Sequence, residues 1–123
     1  MKKYNLFLDD IRSPYSVFFK TLIPLYEHNS DWIIVKDYSA FVSYIEKHGI
    51  PTVISLDHDL SQNHYLPHNQ EDIDYSSMDI PSGWHCLKWL IEHCKNNNTT
   101  LPQIFFHTQN KQGEQNMRAL MLE

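Results

Sequence analysis

Cysteine is scarce in this chain: 123 residues carry two, Cys86 and Cys94. Both fall within one expected helix, which sets their α-carbons about 12 Å apart at ~1.5 Å of rise per residue, too far for a disulfide. They read as small core residues in a reducing compartment, so a cytoplasmic location is expected. Positive charge is also short. Ten Lys and Arg against fifteen Asp and Glu give a net charge of −5, and the basic residues are scattered. The clustered basic face that grips long nucleic acid is therefore missing, although a small nucleotide or an RNA end remains open as a partner. No apolar run is long enough to span a membrane, and the one following Met1-Lys2-Lys3-Tyr4 is too short for a signal peptide. Repeats, low-complexity tracts, H-E-x-x-H, a Cys-rich metal motif, a P-loop and G-x-S-x-G are all absent.

What the chain does contain is an alternation of strand-like and helix-like segments, the pattern of a parallel sheet covered on both faces. Strands are expected at 4–8, 32–35, 52–56 and 103–106. The first helix, over 14–26, has Pro14 in its first turn and Phe18, Leu22 and Leu25 at helical spacing, with Pro24 kinking or ending it. The second runs from a Ser39 cap to His48, with Gly49 as its stop. The third follows Ser82 and buries Cys86, Leu87, Leu90, Ile91 and Cys94. The last, over 112–122, buries Met117, Leu120 and Met121. Right-handed crossovers give the order 2-1-3-4, so the expected fold is a single three-layer α/β domain of the flavodoxin or receiver kind, spanning 1–123, with four parallel strands.

Three of the strands end on reactive residues. The first runs into Asp9-Asp10, the third into Asp57-His58-Asp59, and the fourth into His107-Thr108-Gln109-Asn110. In the expected order these ends lie side by side at the carboxyl edge, where open α/β sheets bind ligands. Two carboxylates about 5 Å apart repel by roughly 3 kcal/mol at an effective dielectric near 20. Such a cluster calls for a counterion, and Mg²⁺ or another divalent cation held by Asp9, Asp10, Asp57 and Asp59 would supply one. The alternative is that Asp10 caps the next helix and Asp59 faces solvent. His107 and His58 are candidate proton carriers near neutral pH, though strand alternation could turn His58 away from its neighbours. Thr108, Asn110 and the amides near Gly113 are candidate phosphate contacts. Arg12 either pairs with Asp9 or Asp59 or clamps a phosphate.

One segment breaks the rhythm. From about 61 to 81 no period is visible, and the stretch carries His64, His68, Glu71, Asp72, Asp74 and Asp79. It is either a lid over the acidic edge or a solvated insertion. Trp84, off the apolar stripe of its helix, either packs under that lid or stacks a base.

The Asp pair after strand 1 and the Asp after strand 3 resemble the acidic pocket of response-regulator receiver domains. The receiver's fifth strand and its terminal Lys are missing, and His107-Thr108 stands at the end of strand 4 instead. Leu8-Asp9-Asp10-Ile11-Arg12-Ser13-Pro14, Ser55-Leu56-Asp57-His58-Asp59-Leu60, Gly83 through Leu90, and His107-Thr108-Gln109-Asn110 with Gly113 and Met117 are more similar to the cyclic-phosphate-processing receiver-like domains. Thr108 replaces that family's usual Ser and keeps the hydroxyl. The resemblance implies a phosphoesterase acting on a cyclic phosphate of a nucleotide, RNA end or sugar-nucleotide derivative. Asp9, Asp10 and Asp57 would hold metal with Asp59 in support. His107, Asp57, His58 and Thr108 would be catalytic, while Arg12, Asn110, Thr108 and Gly113 would contact phosphate. Two other readings stand beside it: a non-catalytic nucleotide binder, and a degenerate receiver that accepts phosphate on Asp57.

Overall fold

The computed structural model describes residues 3–66 and 69–123, so His68 lies outside the described residues. Four parallel strands form one sheet in the order β2-β1-β3-β4: β1 (Asn5–Leu8), β2 (Ile33–Val35), β3 (Val53–Leu56) and β4 (Gln103–Phe106). Four helices connect and close them: α1 (Pro14–Thr21), α2 (Tyr38–His48), α3 (Gly83–Asn96) and α4 (Lys111–Met121). This is the expected receiver-like α/β architecture. No helix among the described residues is long and apolar enough to cross a membrane.

Strand alternation divides the core into two unequal halves. Leu6, Leu8, Ile54 and Leu56 point to one face, where Phe41 and Ile45 of α2, Cys86, Leu87 and Leu90 of α3 and Met117 of α4 pack on them. Phe7 points to the other face, where the smaller buried cluster is Val17 of α1, Tyr26 and Trp32. Three helices thus cover one face, and α1 with a short 3-10 turn (Pro24–Tyr26) covers the other. Cys86 and Cys94 are free and buried, as their spacing requires.

Local chemistry moves several boundaries. α1 ends at Thr21 because Leu22 adopts a left-handed conformation (φ 57°) and bonds back to Phe18, before Pro24 is reached. Leu22 is consequently 71% exposed rather than part of the buried stripe, and Val17 is the helix's buried apolar anchor. α2 is capped by Asp37, whose carboxylate accepts from the Ala40 amide, not by Ser39. Ser13 rather than Asp10 caps α1. Met121 is exposed at the end of α4, whereas Met117 is fully buried.

The register places the site. Phe7, Ser55 and Phe105 share one row of the sheet, and Leu8, Leu56 and Phe106 the next. The ladder continues one residue further through Asp9 N to Val35 O, Asp57 N to Leu8 O and His107 N to Leu56 O. Asp9, Asp57 and His107 therefore stand abreast at the carboxyl edge. Alternation puts all three on the α1 side, two residues beyond Phe7, Ser55 and Phe105.

Candidate functional site

The side chains at the strand ends sort into two hydrogen-bonded networks. On the α1 side, Asp9 accepts four bonds. Its Oδ1 takes the amides of Ile11 and Arg12 at 2.9 and 2.8 Å, and its Oδ2 takes Arg12 Nε and His107 Nε2, both at 3.0 Å. A carboxylate has about four acceptor sites, so Asp9 is saturated. Burial alone would push its pKa up. The bonds from His107 and the two amides outweigh that and hold it below the usual carboxylate range.

His107 is equally committed. Its ring lies flat on Phe7, with centroids 4.2 Å apart. Nε2–H donates to Asp9 while Nδ1 accepts from Ser55 Oγ at 2.7 Å, and Ser55 Oγ in turn accepts from the Tyr26 hydroxyl at 2.7 Å. Only 1% of its side chain is exposed. Desolvation lowers its pKa against the pull of Asp9, so the neutral ring is favoured. The sequence pattern missed Ser55 and Tyr26. Ser55 alone carried a signal, as a hydroxyl inside the apolar run Val53-Ile54-Ser55-Leu56.

The second network faces α4. His58 is fully buried and turned away from His107: its Nδ1–H donates to Asp59 Oδ1 at 2.7 Å, and its Nε2 accepts from the Tyr75 hydroxyl at 2.9 Å. Asn110 Nδ2 donates to Asp59 and to the Asn69 carbonyl, both at 3.1 Å, while its Oδ1 caps α4 through the Gly113 amide. Gln70 completes Asp59 at 3.1 Å. These bonds outweigh burial and hold the Asp59 pKa below the usual range. Asp59 is therefore buried rather than solvated. The Asn110 side chain and the Gly113 amide are bonded within the protein and do not point at open space.

Gly113 and Gly83 are each explained by close approach. A Cβ on Gly113 would lie 2.5 Å from the His58 ring, and one on Gly83 would overlap the Asp57 carbonyl oxygen outright.

Asp57 and Asp10 occupy the seam between the networks. Asp57 Oδ1 accepts from Arg12 Nη2 at 3.1 Å and from the His58 amide at 2.9 Å. Its Oδ2 is buried without a partner, as is Asp10 Oδ1. Burial, then the charge of Asp9, pushes the Asp57 pKa up to about 7 against the pulls of Arg12 and of the nearby Thr108 hydroxyl. Burial also raises Asp10. Asp9, Asp10 and Asp57 can each present an oxygen so that all lie within 4.8 Å of one another. That cluster has the character of a receiver's acidic pocket. Its donor set suits a hard divalent cation, because two buried carboxylate oxygens lack any partner. Asp59 stands outside the cluster.

A cleft of about 170 Å³ opens onto this seam, lined by Ile11, Arg12, Asp57, Asp59, Tyr65, Thr108 and Gln109. Burial and the nearby carboxylates raise the Tyr65 hydroxyl to about 12, so it is a neutral donor. Trp84 stacks on Tyr75 of the loop, with centroids 4.1 Å apart and planes 5° from parallel, and so packs beneath that loop.

A parallel sheet in this order, with acidic residues at the ends of its two central strands, defines a receiver-like α/β domain. Over residues 4–123 the chain matches the family described as the cyclic-phosphate processing receiver domain, and it belongs to that family. Comparison with curated proteins gives no match. Comparison with solved structures gives none either.

Proposed function

We propose that this domain opens a cyclic phosphate ester by hydrolysis in the cleft over the Asp10–Asp57 seam. The observation that carries the reading is the pair of buried, unpartnered oxygens, Asp10 Oδ1 and Asp57 Oδ2, beside a cleft whose walls include Asp57, the Arg12 guanidinium and the Thr108 hydroxyl. Asp10 and Asp57 would hold a divalent cation such as Mg²⁺, with Asp9 at their side anchoring Arg12. Such an ion supplies Lewis acidity at phosphorus and offsets the carboxylate charge.

The chain's own residues have distinct tasks. Arg12 uses Nε on Asp9 and Nη2 on Asp57, which leaves donors of its five-donor fork free for phosphate oxygens. Thr108 Oγ1 accepts the Asn110 amide at 3.1 Å, and its hydroxyl hydrogen, close enough to Asp57 to favour that carboxylate, would turn to donate to a phosphate oxygen. Ring opening forms a bond from water oxygen to phosphorus and breaks the ester P–O bond. The water gives up a proton, and the departing oxygen gains one. Asp59 lines the cleft and has only Gln70 as a partner on Oδ2, which leaves it an acceptor site to orient the water, whose proton passes to solvent. Solvent at the mouth of the cleft supplies the proton for the leaving oxygen. His107, with both nitrogens bonded, sets the position of Asp9 and Arg12, and His58 sets Asp59.

The same commitment of both histidines favours a second reading, a domain that binds a cyclic phosphate without turning it over. One experiment separates the two. Wild type, Asp57→Asn and Thr108→Val are incubated with 2′,3′-cyclic nucleotides, with Mg²⁺ or with EDTA, and products are followed by ³¹P NMR. The hydrolase reading expects Mg²⁺-dependent ring opening that drops at least ~100-fold in Asp57→Asn and about 100-fold in Thr108→Val, the lower end for one lost charge-stabilising donor. Intact ligand retained by folded wild-type protein under every metal condition would establish the binder instead.

A further inference from the structure

The single helix on one face leaves part of the sheet bare. Four strands span roughly 14 Å at ~4.8 Å per gap, and a helix with its side chains is about 10 Å wide. α1 sits over β1 with Tyr26 and Trp32. Towards β4 the same face holds Phe105, only partly buried, and the exposed Gln103. A cleft of about 330 Å³ opens there, walled by Val17, Thr21, Ile23, Tyr26 and Phe105, with Lys20 beside it. Arg12, Thr108 and Gln109 belong to this cleft and also to the 170 Å³ cleft over the carboxylates. The two are thus neighbours across a wall of three side chains, each able to bond a phosphate or a ring edge.

We infer that the larger cleft is a specificity subsite for the nucleobase of a nucleoside cyclic phosphate whose phosphate lies over Asp10 and Asp57. The inference rests on the function proposed above and adds the place on this chain where the base would be read. The walls decide between candidate groups. A second sugar would need a partner for each hydroxyl, but Thr21 is already bonded to the Val17 carbonyl and the Ile23 amide, and the rest of the wall is largely carbon. A planar base needs apolar faces and a few polar groups at its edge. Ile23 and Phe105 provide the faces, and Lys20 and the exposed Gln109 provide the edge. The net charge of −5 provides no further hold on a long polynucleotide, so recognition stops at one terminal nucleotide.

The test compares 2′,3′-cyclic AMP with glycerol 1,2-cyclic phosphate, which keeps the five-membered cyclic ester and lacks the base. Variants are Ile23→Trp, which fills the cleft from its exposed edge, and Phe105→Ala, which strips a face. Wild type is expected to prefer the nucleotide by about 10- to 100-fold in kcat/KM, the range that stacking one base supplies. Both variants should raise KM for the nucleotide alone and leave glycerol cyclic phosphate turnover unchanged. Equal wild-type kcat/KM for the two compounds, or equal losses on both in the variants, would overturn the subsite. If neither compound is hydrolysed, the hydrolase reading fails by itself, and an ¹⁵N NMR titration with 2′,3′-cyclic AMP decides the subsite. Shifts at Ile23 and Phe105 that disappear in Ile23→Trp keep it, and their absence removes it. A wild-type dimer that Ile23→Trp dissociates would assign the face to a second copy of the chain and overturn the proposal.

Discussion

Asp57 concentrates the electrostatic conflict of this domain. It is buried beside Asp9, one of its oxygens has no partner, and its pKa stands at about 7 against about 3.9 in an unfolded chain. Between these values the folded chain binds more protons at this site than the unfolded chain does. The stability contributed by Asp57 is therefore present below about pH 4 and is lost as pH rises towards 7. Asp57→Asn removes the titration and keeps the shape. Urea unfolding in EDTA should find the variant and wild type close near pH 4, and the variant more stable at about pH 8. The gap is on the order of 4 kcal/mol at most, since each tenfold change in proton affinity is worth about 1.36 kcal/mol, and it is less where Arg12 reorganises. A variant no more stable than wild type across that range would show that Arg12 alone neutralises the site. Asp9 behaves oppositely despite its equal burial, because four donors meet it. The sequence showed that both carboxylates would stand at the carboxyl edge. Which one is saturated depends on Arg12 folding back over two strands, a contact that neither periodicity nor spacing encodes.

At the scale of elements, the segment after β3 is fastened at defined points. His64 is buried, accepts the Leu60 amide on Nδ1 at 2.8 Å and donates through Nε2 to the Ile80 carbonyl at 2.7 Å, so it ties the start of the loop to its end. Tyr75 fastens the middle through His58, Asn116 and Trp84. Neither residue has a sequence period to reveal it, since an aperiodic loop is ordered by individual side chains. Desolvation lowers the His64 pKa below its ordinary value. Its contribution is therefore present above about pH 6.5 and is lost as pH falls through the lowered value. Hydrogen exchange, corrected for intrinsic rate, should show amides near residues 60–66 and 78–82 opening more as pH falls from about 7 to 5. His64→Phe should open them by about 1–3 kcal/mol at all pH values, the cost of leaving a buried amide and carbonyl unpaired, with β1 and β3 unaffected. Uniform protection in the variant would mean that Tyr75 suffices. The start of α3 tolerates still less: Gly83→Ala drives a methyl into the Asp57 carbonyl. The unfolding free energy should fall by about 3 kcal/mol, the upper range of overpacking costs, and an unchanged value would show that α3 can slide away from β3.

Across the whole molecule, the sheet order and the juxtaposition of three strand ends were legible because both follow from alternation, crossover handedness and chain length. The division of the site was not. His58 and Asp57 are adjacent in sequence, but strand alternation sends one under α4 and the other towards α1, and the close approach of Gly113 lets the His58 ring bury against α4. The consequence is a domain with well-bonded carboxylates on either side, Asp9 saturated by four donors and Asp59 holding three, and unsatisfied oxygens between them on Asp10 and Asp57. A ligand that binds the folded seam and not the unfolded chain must add RT ln(1 + [L]/Kd) to global stability, about 2.7 kcal/mol at a hundredfold excess over Kd. Millimolar Mg²⁺ at about pH 8 should therefore raise the wild-type urea midpoint, and it should do so less at about pH 5, where protons compete for Asp57. Asp10→Asn and Asp57→Asn should each remove the response. Asp59→Asn should keep it, because Asp59 lies outside the carboxylate cluster. The Asp59 variant separates a bound ion from general screening: screening would stabilise all four proteins alike and would be matched by NaCl at equal ionic strength. A Mg²⁺ response that survives in Asp57→Asn, or that NaCl reproduces in wild type, would leave the seam to Arg12 and a proton, and the chemistry at phosphorus would then have to proceed without metal.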